Sequence, residues 1–248
     1  MIHKQYGLIG FPLSHSFSKG YFAEKFKKEN ISNCQYDTFP LEQITDFPLL
    51  CTQQKNLVGL NVTIPYKEQV IPFLDDLDAE AKAIGAVNTI RFHQGKKIGY
   101  NSDCYGFEMS LKPLLKSHHT NALILGTGGA SKAVEYVLQK LGITYKYVSR
   151  TKQASMLTYD ALQTINFQDY TLLINTTPVG MYPNIDAKPD IPYSEITDKH
   201  LLYDLVYNPE ETCFLKEGKL RGATIKNGLE MLYLQAERSW QIWNTTED

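Results

Sequence analysis

Short apolar runs and segments of helical periodicity alternate along most of this chain. Such alternation is typical of βαβ units around a largely parallel sheet, and it predicts the α/β fold class. We predict strands over residues 5–10, 34–39, 58–64, 86–92, 97–101, 122–125, 145–149, 171–175, 201–205 and 223–225. We predict helices over residues 17–29, 41–50, 66–84, 104–115, 132–141, 156–162, 212–220 and 229–243, with the second of them weak.

A polar stretch at residues 116–120 separates two such series of strands and helices. Polar clusters between periodic segments are typical of connecting loops, so the chain is predicted to form two domains. The last predicted helix is amphipathic and offers Met231, Trp240 and Trp243 for burial. We expect this helix to dock on the first domain. The strands at 86–92 and 97–101 are predicted to form a hairpin.

The segment at residues 61–67, which reads Asn-Val-Thr-Ile-Pro-Tyr-Lys, is the first candidate for chemistry. Alternation along the strand places its apolar residues, Ile64 included, against a core and leaves Asn61 and Thr63 on the opposite face. The proline is expected to begin a helix with Lys67 in its first turn, where the helix dipole disfavours a cation. Ligands bind at this edge of open α/β sheets, so a binding or catalytic lysine is favoured over a surface lysine at an ordinary strand–helix junction.

Gly126 begins a turn that reads Gly-Thr-Gly-Gly-Ala-Ser between a predicted strand and a predicted helix. This is the context that a dinucleotide-binding fingerprint requires. Gly126 suits the tight turn, Gly128 permits close approach of a pyrophosphate, and N–H groups at the helix start would bind the phosphates. Ser131 stands where the fingerprint has its third glycine, although Gly129 and Ala130 are also small. The alternative is a flexible turn without a ligand.

The end of the next strand, Ser149-Arg150-Thr151-Lys152, decides which dinucleotide is expected. An Asp or Glu at this place would bind the ribose 2′-hydroxyl of NAD, whereas a guanidinium can make two charge-assisted hydrogen bonds to a 2′-phosphate. Lys152 adds a second positive charge. We therefore predict NADP(H) as the cofactor. The alternative is that Arg150 only neutralises a nearby surface acid.

Asp103 lies between a predicted strand and a predicted helix, and its simplest role is that of a helix N-cap. A carboxylate close to Lys67 could also hold the ammonium in one rotamer and accept a hydrogen bond from a substrate hydroxyl. Such an acid would raise the pKa of the lysine while burial would lower it, so the sequence leaves that pKa open.

Further polar residues lie beside predicted strands. Ser14-His15-Ser16 precede the first predicted helix, where one hydroxyl is expected to cap the helix and others can reach a ligand. His15 is a less favoured acid or base than Lys67. Asn88 is an amide in an otherwise apolar strand and needs a partner, either backbone or ligand.

Composition narrows the class of partner. The net charge is −2 and no lysine- or arginine-rich block occurs, so we expect small molecules rather than nucleic acid or a membrane surface. The four cysteines form no C-x-x-C pair and the six histidines show no metal-binding spacing. We therefore expect no metal, and a cytoplasmic protein with reduced thiols. Because apolar runs are short, neither a signal peptide nor a membrane span is expected.

In the order of its motifs, the chain resembles the shikimate dehydrogenase family over essentially its full length. The segments that carry the resemblance are 14–16, 61–67, 85–89, 101–103, 126–130, 175–181, 204–209 and 228–236. The resemblance implies a substrate-binding and catalytic domain with a mostly parallel sheet at 1–103, and a Rossmann-like NADP-binding domain at 104–228. It also implies a cleft between the two domains and a C-terminal helix, 229–248, that packs back on the first domain.

The resemblance further implies a role for each matched residue. Lys67 and Asp103 would form the catalytic acid–base pair. The substrate would be bound by Ser14, Ser16, Asn61, Thr63, Asn88, Tyr207 and Gln235, with Asp103 also contacting it. The cofactor would be bound by Gly126, Gly128, Gly129, Ala130, Ser149, Arg150, Thr151, Thr176, Gly228 and Met231.

The implied activity is the reversible NADPH-dependent reduction of 3-dehydroshikimate to shikimate, on the route to chorismate and the aromatic amino acids. The alternatives are a quinate/shikimate dehydrogenase that prefers NAD, a tetrahydrofolate-linked methylene dehydrogenase, and a catalytically silent relative that binds shikimate or NADP. Arg150 argues against the first and the paired serines at 14 and 16 against the second. Intact Lys67 and Asp103 argue against the third. The oligomeric state stays open between monomer and homodimer.

Overall fold

The computed structural model describes residues 3–13, 16–153 and 155–245, and the chain divides into two compact units. Unit 1 comprises Met1–Ser102 together with Ala236–Asp248, and unit 2 comprises Asp103–Gln235. Each unit contains a six-stranded sheet with helices, so the predicted α/β class is confirmed.

Unit 1 is built on a mixed sheet in the order β2-β1-β3-β5-β6-β4. Strand β1 pairs in parallel with β2 and β3, whereas β5 runs antiparallel to β3 and β6. The strands are β1 (Lys4–Gly10), β2 (Cys34–Pro40), β3 (Leu57–Val62), β4 (Asp76–Leu77), β5 (Thr89–His93) and β6 (Lys96–Tyr100). The helices are α1 (Phe17–Lys28), α2 (Phe47–Gln53) and α3 (Ala79–Ile84), with 3-10 turns at Ile44–Asp46 and Ile71–Phe73.

Unit 2 is built on a fully parallel sheet in the order β12-β11-β10-β7-β8-β9. Its strands are β7 (Asn121–Leu125), β8 (Thr144–Ser149), β9 (Leu157–Thr158), β10 (Leu172–Asn175), β11 (Leu201–Asp204) and β12 (Thr224–Lys226). The helices are α4 (Ser102–Leu111), α5 (Gly129–Lys140), α6 (Cys213–Leu220) and α7 (Leu229–Asn244). Shorter 3-10 turns occupy Lys112–Leu114, Asp160–Gln163, Phe167–Asp169 and Tyr193–Glu195. Helix α4 starts at the last residue of unit 1, and α7 continues from unit 2 into unit 1.

The predicted hairpin is confirmed as β5 and β6. His93 pairs with Lys96, so the loop contains only Gln94 and Gly95. Both loop residues have positive φ, 48° and 77°. Such a two-residue loop matches the right-handed twist of the flanking strands, and glycine at its second position adopts that conformation without strain.

The prediction of helical segments over 66–84 is confirmed only at Ile71–Phe73 and Ala79–Ile84, and the predicted helix at 156–162 is wrong. Residues 64–70 form turns after β3 rather than the first turn of a helix, so the helix dipole does not act on Lys67 as we expected. The ring of Tyr66 is buried and its hydroxyl donates to the Leu41 carbonyl oxygen at 2.5 Å, which fixes the chain in this turn. Ile64 lies beyond the end of the strand and is 73% exposed, so its predicted core position is also wrong. Residues 156–162 form the short strand β9 and a 3-10 turn, because pairing with β8 overrides the weak helical pattern.

The C-terminal half of α7 completes the interior of unit 1. The Trp243 ring packs against Tyr6, Phe22 and Tyr36, and its Nε1–H donates to the Ile90 carbonyl oxygen at 3.0 Å. The indole lies directly over Gly59 of β3, where a Cβ atom would overlap the ring. The strand therefore needs a residue without a side chain at this position.

Asp204 connects the C-terminal ends of two neighbouring strands of unit 2. Its Oδ1 accepts from the Asn175 side chain at 2.9 Å and from the Val206 N–H at 3.0 Å, and its Oδ2 accepts from the Thr212 hydroxyl at 2.6 Å. Thr212 in turn caps α6. The carboxylate is fully buried, and burial raises its pKa to about 6 although the three hydrogen bonds act in the opposite direction.

Replacing Gly59 with alanine should lower the free energy of unfolding of unit 1 by about 1–3 kcal/mol, because the new methyl group forces the Trp243 indole out of position. Gly20→Ala is the matched control. Gly20 lies in α1, where an added Cβ atom would meet no other atom within 4 Å, so alanine there should stabilise by roughly 0.5–1 kcal/mol. Urea unfolding measures both, and a Gly59→Ala protein as stable as the wild type would contradict the packing described.

Asp204 should make stability depend on pH in a defined direction. The pKa of Asp204 is about 6 in the folded protein, whereas the ordinary value for an aspartate is 3.8. Folding therefore favours the protonated form of this side chain. The resulting stabilisation is present below pH 3.8 and is lost as the pH rises through 6, by a difference on the order of 3 kcal/mol.

Asp204→Asn keeps the shape of the side chain and one of its two acceptor oxygens but cannot ionise. Its stability relative to the wild type should therefore rise as the pH increases from 4 to 7, measured as the difference between urea unfolding curves at each pH. A difference that does not change with pH would show that Asp204 does not titrate in this range.

Candidate active site

The C-terminal ends of β7, β8 and β10 converge at the switch point of the unit 2 sheet. From β7 the chain passes to β8 on one side and later returns to β10 on the other. At such a point the loops diverge and leave a crevice, which is where open α/β sheets bind ligands. The glycine-rich turn lies at this point, between the strand β7 and the helix α5 as predicted.

Gly126 adopts a φ of 103°, which favours glycine. A Cβ atom here would lie 2.6 Å from the Thr177 methyl carbon and 3.0 Å from the Thr176 hydroxyl oxygen. The Thr176 hydroxyl donates to the Leu125 carbonyl oxygen at 2.8 Å, so the loop after β10 packs closely against the glycine turn. This contact holds Thr176 beside the turn.

Gly128 and Gly129 differ from Gly126, because a Cβ atom on either would meet no protein atom within 4 Å. Packing within the protein therefore does not explain these two glycines. They form the cap and the first residue of α5, and the first N–H groups of a helix have no carbonyl partner one turn before them. Backbone of this kind can approach a phosphate closely, and the residues fit a dinucleotide pyrophosphate.

Ser131 closes the turn from inside. Its hydroxyl donates to the Gly128 carbonyl oxygen at 2.6 Å and its N–H donates to the same oxygen at 2.9 Å. The side chain is buried, so the serine fits where the fingerprint usually has a third glycine.

A brace between β8 and α5 was not predicted from the sequence. The Tyr147 hydroxyl lies 2.9 Å from Glu135 Oε2 and 3.3 Å from the Ser131 carbonyl oxygen, and the Tyr145 hydroxyl also donates to Glu135. Burial raises the pKa of Tyr147, and the hydrogen bond to Glu135 adds to the increase. The brace fixes the helix start relative to the strand that ends at Ser149. The only sequence signal was a pair of tyrosines two positions apart on one face of the strand.

The residues after β8 are arranged for contact with a ligand. Ser149 is buried and its hydroxyl accepts from the Thr151 N–H at 3.3 Å, whereas Arg150 is exposed. Among the residues that the structure describes, no carboxylate forms an ion pair with Arg150. Its guanidinium is therefore available to an anion from solution.

The two predicted catalytic residues belong to different units. Lys67 lies in the turn after β3, where its carbonyl oxygen accepts from the Val87 N–H at 2.7 Å. Asp103 is buried in the first turn of α4, one residue inside the helix rather than at its N-cap. The expected capping role is wrong, because the helix already begins at Ser102.

The predicted substrate-binding residues of unit 1 differ in exposure. Asn61 is only 6% exposed, and Asn88 is also buried. Thr63 is half-buried just beyond β3. Ser16 caps α1, as one of the serines was predicted to do, by accepting from the Lys19 N–H at 3.2 Å. Ser14 lies outside the described residues.

The remaining predicted residues lie in unit 2. Tyr207 is 39% exposed in the loop after β11. Gly228 packs so tightly on Leu205 that a Cβ atom would overlap the Leu205 carbonyl. Met231 is buried in α7, and Gln235 is half-buried one turn further along. Gly106 of α4 lies close to this part of α7. A Cβ atom added at Gly106 would lie 2.6 Å from the Met231 carbonyl oxygen, so the missing side chain lets the two helices approach each other.

Within residues 3–13, 16–153 and 155–245, no group of three or more His, Cys, Asp or Glu side chains could hold a metal ion. Over the same ranges, every helix is too short or too polar to cross a lipid bilayer.

The amino-acid sequence of this chain is similar to those of known proteins. The family model for the shikimate dehydrogenase substrate binding domain matches residues 8–90. A shikimate dehydrogenase (NADP(+)) from Halothermothrix orenii is 40% identical over 261 residues, which cover 96% of this chain and 89% of that protein. A protein of the same name from Methanococcus maripaludis is 39% identical over 258 residues, with coverage of 97% and 91%.

The fold is also similar to that of solved structures. The crystal structure of shikimate 5-dehydrogenase from Thermus thermophilus, in complex with NADP(H) and shikimate, aligns with a TM-score of 0.85 and 29% sequence identity. The alignment covers 97% of this chain and 93% of that structure. The resemblance deduced from the order of the motifs is thereby confirmed, and this chain belongs to the shikimate dehydrogenase family.

Proposed function

We propose that this protein catalyses the reversible NADPH-dependent reduction of 3-dehydroshikimate to shikimate. The observation that carries the proposal is the open glycine turn at the switch point of unit 2, next to the exposed Arg150, in a chain of this family. The relatives named above are called NADP(+) shikimate dehydrogenases. The product would serve the synthesis of chorismate and aromatic amino acids.

The proposal assigns a different task to each part of the chain. Residues 1–103, with the C-terminal segment 229–248 that contains α7, would bind the substrate and carry the catalytic lysine. The match of residues 8–90 to a substrate-binding domain supports this assignment. Residues 104–228 would bind the cofactor through the glycine turn and the end of β8. No partner besides these small molecules is part of the proposal, and the four free cysteines support a reducing, cytoplasmic location.

For the cofactor, we infer NADP(H) rather than NAD(H). Gly126, Gly128, Gly129 and Ala130 would receive the pyrophosphate at the start of α5. The exposed Arg150, with the hydroxyls of Ser149 and Thr151 beside it, would bind the 2′-phosphate. The other proposed cofactor contacts are Thr176, Gly228 and Met231.

Two groups of this chain would perform the acid–base chemistry. When bound, NADPH supplies a hydride to the ring carbonyl carbon. Lys67, as an ammonium, donates a proton to the carbonyl oxygen, and Asp103 accepts hydrogen bonds that orient the lysine and the substrate. In the reverse direction the neutral amine of Lys67 accepts the proton of the hydroxyl. Proton transfer of this kind contributes ~10²–10⁴-fold, and alignment of the reacting atoms supplies much of the rest.

The substrate would be held at both ends. Ser14 and Ser16 would bind its carboxylate; Ser16 uses a lone pair to cap α1 and retains its hydroxyl proton for donation. Asn61, Thr63, Asn88, Asp103 and Gln235 would bind the ring hydroxyls, with Tyr207 nearby.

The defining assay follows the absorbance of reduced nicotinamide with shikimate or quinate against NADP or NAD. Turnover of quinate with NAD in preference to shikimate with NADP would sink the proposal.

Lys67→Ala should reduce turnover ~10²–10⁴-fold while the dissociation constant of NADPH stays close to that of the wild type, because the lysine acts on the substrate and not on the cofactor. Stopped assays give turnover, and fluorescence titration gives NADPH binding. Lys82→Ala, which removes an exposed lysine of α3, serves as the control and should be fully active. Near-normal turnover of Lys67→Ala would refute the assigned role.

Arg150→Ala should reduce the preference for NADP over NAD by about 10- to 150-fold, because charge-assisted hydrogen bonds to the 2′-phosphate are lost. The measurement is the ratio of kcat/KM with the two cofactors. Lys146→Ala removes another exposed positive charge, from the strand β8 that precedes Arg150, and should leave the ratio unchanged. An equal loss in both variants would indicate a general effect of charge rather than recognition by Arg150.

A further inference from the structure

Unit 1 contains a continuous chain of buried polar side chains, which we call the polar chain: Tyr36, Asn61, Ser239, Thr89, Ser102 and Asn88. At one end, the Tyr36 hydroxyl donates to Asn61 Oδ1 at 2.9 Å. Asn61 Nδ2 then donates to the Ser239 hydroxyl oxygen at 2.9 Å. Ser239 belongs to α7, so the chain connects β2, β3 and the C-terminal helix.

Thr89 is the centre of the polar chain. Its hydroxyl oxygen lies 2.8 Å from that of Ser239, 3.1 Å from that of Ser102 and 3.3 Å from Asn61 Nδ2. The hydroxyl also lies 3.1 Å from Asn88 Oδ1. One side chain of β5 therefore contacts three polar side chains from other segments and that of the preceding residue.

The far end of the polar chain reaches the predicted substrate site. Asn88 Nδ2 donates to the Ser102 hydroxyl oxygen at 3.0 Å, and Asn88 Oδ1 accepts from the Ser102 N–H at 2.6 Å. Ser102 immediately precedes Asp103. Two of the groups that the proposed function places on the substrate, the Asn88 amide and the Asp103 carboxylate, are thus attached to this end.

The members of the polar chain that join its two ends cannot reach a ligand. Thr89, Ser102 and Ser239 have no exposed surface. Packing alone does not call for these polar groups, because an apolar interior of the same volume would pack as well. Burying polar groups costs free energy unless each of them finds a hydrogen-bond partner. What a fully bonded network adds is a fixed orientation for each amide, because rotation of one side chain would leave its neighbours unpaired.

We propose that Tyr36, Thr89 and Ser239 are positioning residues for the substrate site. They act through Asn61 and Asn88, whose amides they hold in the orientation that receives the ring hydroxyls. The inference rests on the proposed function. It also gives the C-terminal helix a second role in substrate recognition besides that of Gln235, because α7 supplies Ser239 from a position 150 residues after Thr89.

Thr89→Val is the principal test, because valine keeps the shape of threonine and carries a methyl group in place of the hydroxyl. The KM for shikimate should rise about threefold to tenfold, as expected for loss of oriented hydrogen bonds, while the KM for NADP stays unchanged. Thr89→Ser restores the hydroxyl and should bring the KM for shikimate back toward the wild-type value. Steady-state kinetics at saturating concentrations of the second substrate give these constants.

Tyr6→Phe is the matched control for stability. Tyr6 is buried in the same unit and its hydroxyl donates to Asn244 of α7 at 3.5 Å, outside the polar chain. This variant should lower the unfolding midpoint without a change in the KM for shikimate. Tyr36→Phe and Ser239→Ala, which each remove one hydroxyl of the polar chain, provide the same kinetic test if Thr89→Val does not fold.

The outcomes separate the two claims. A selective rise in the KM for shikimate that Thr89→Ser reverses supports the inference. If the wild type is active and the polar-chain variants lose only stability, the inference is overturned and the proposed function stands. The same holds if the variants lose affinity for NADP as much as for shikimate. A wild type that neither oxidises nor binds shikimate overturns both.

Discussion

Polar side chains that are removed from water must find hydrogen-bond partners inside the protein, and this constraint determines where the chemical groups of both units lie. In unit 1 the constraint is met by hydroxyls gathered around Thr89. In unit 2 it is met by Asp204, which receives one donor from the end of β10 and two from the connection between β11 and α6. In each case the network lies at the ends of strands, so it fixes the loops from which a ligand would be bound.

Glycine shows how one residue type serves opposite purposes in this fold. At Gly59 the missing side chain makes room for an indole, and at Gly106 it lets two helices approach each other. At Gly128 and Gly129 nothing in the protein occupies the space that a side chain would fill. The first two positions concern the stability of the fold, whereas the last two leave backbone N–H groups accessible. Surroundings rather than sequence distinguish these roles.

Local patterns predicted much of this architecture because they act over a few residues. The hairpin at Gln94-Gly95 and the turn at Gly126 follow from backbone preferences that are visible in the sequence. The turn that carries Lys67 was mistaken for a helix, since it depends on the distant contact between Tyr66 and Leu41. The polar chain and the Tyr147–Glu135 brace were missed for the same reason. Their partners are far apart in sequence, and only the folded sheet brings them together.

The passage of α7 from unit 2 into unit 1 has a consequence for biosynthesis. Domains of a nascent chain usually fold in the order in which they emerge from the ribosome. Unit 1 cannot follow that order, because Trp243 and Ser239 belong to its interior and are translated after all of unit 2. The core of unit 1 therefore stays incomplete until the last helix has been translated. Throughout that interval, β1 to β6 of the nascent chain expose apolar surface.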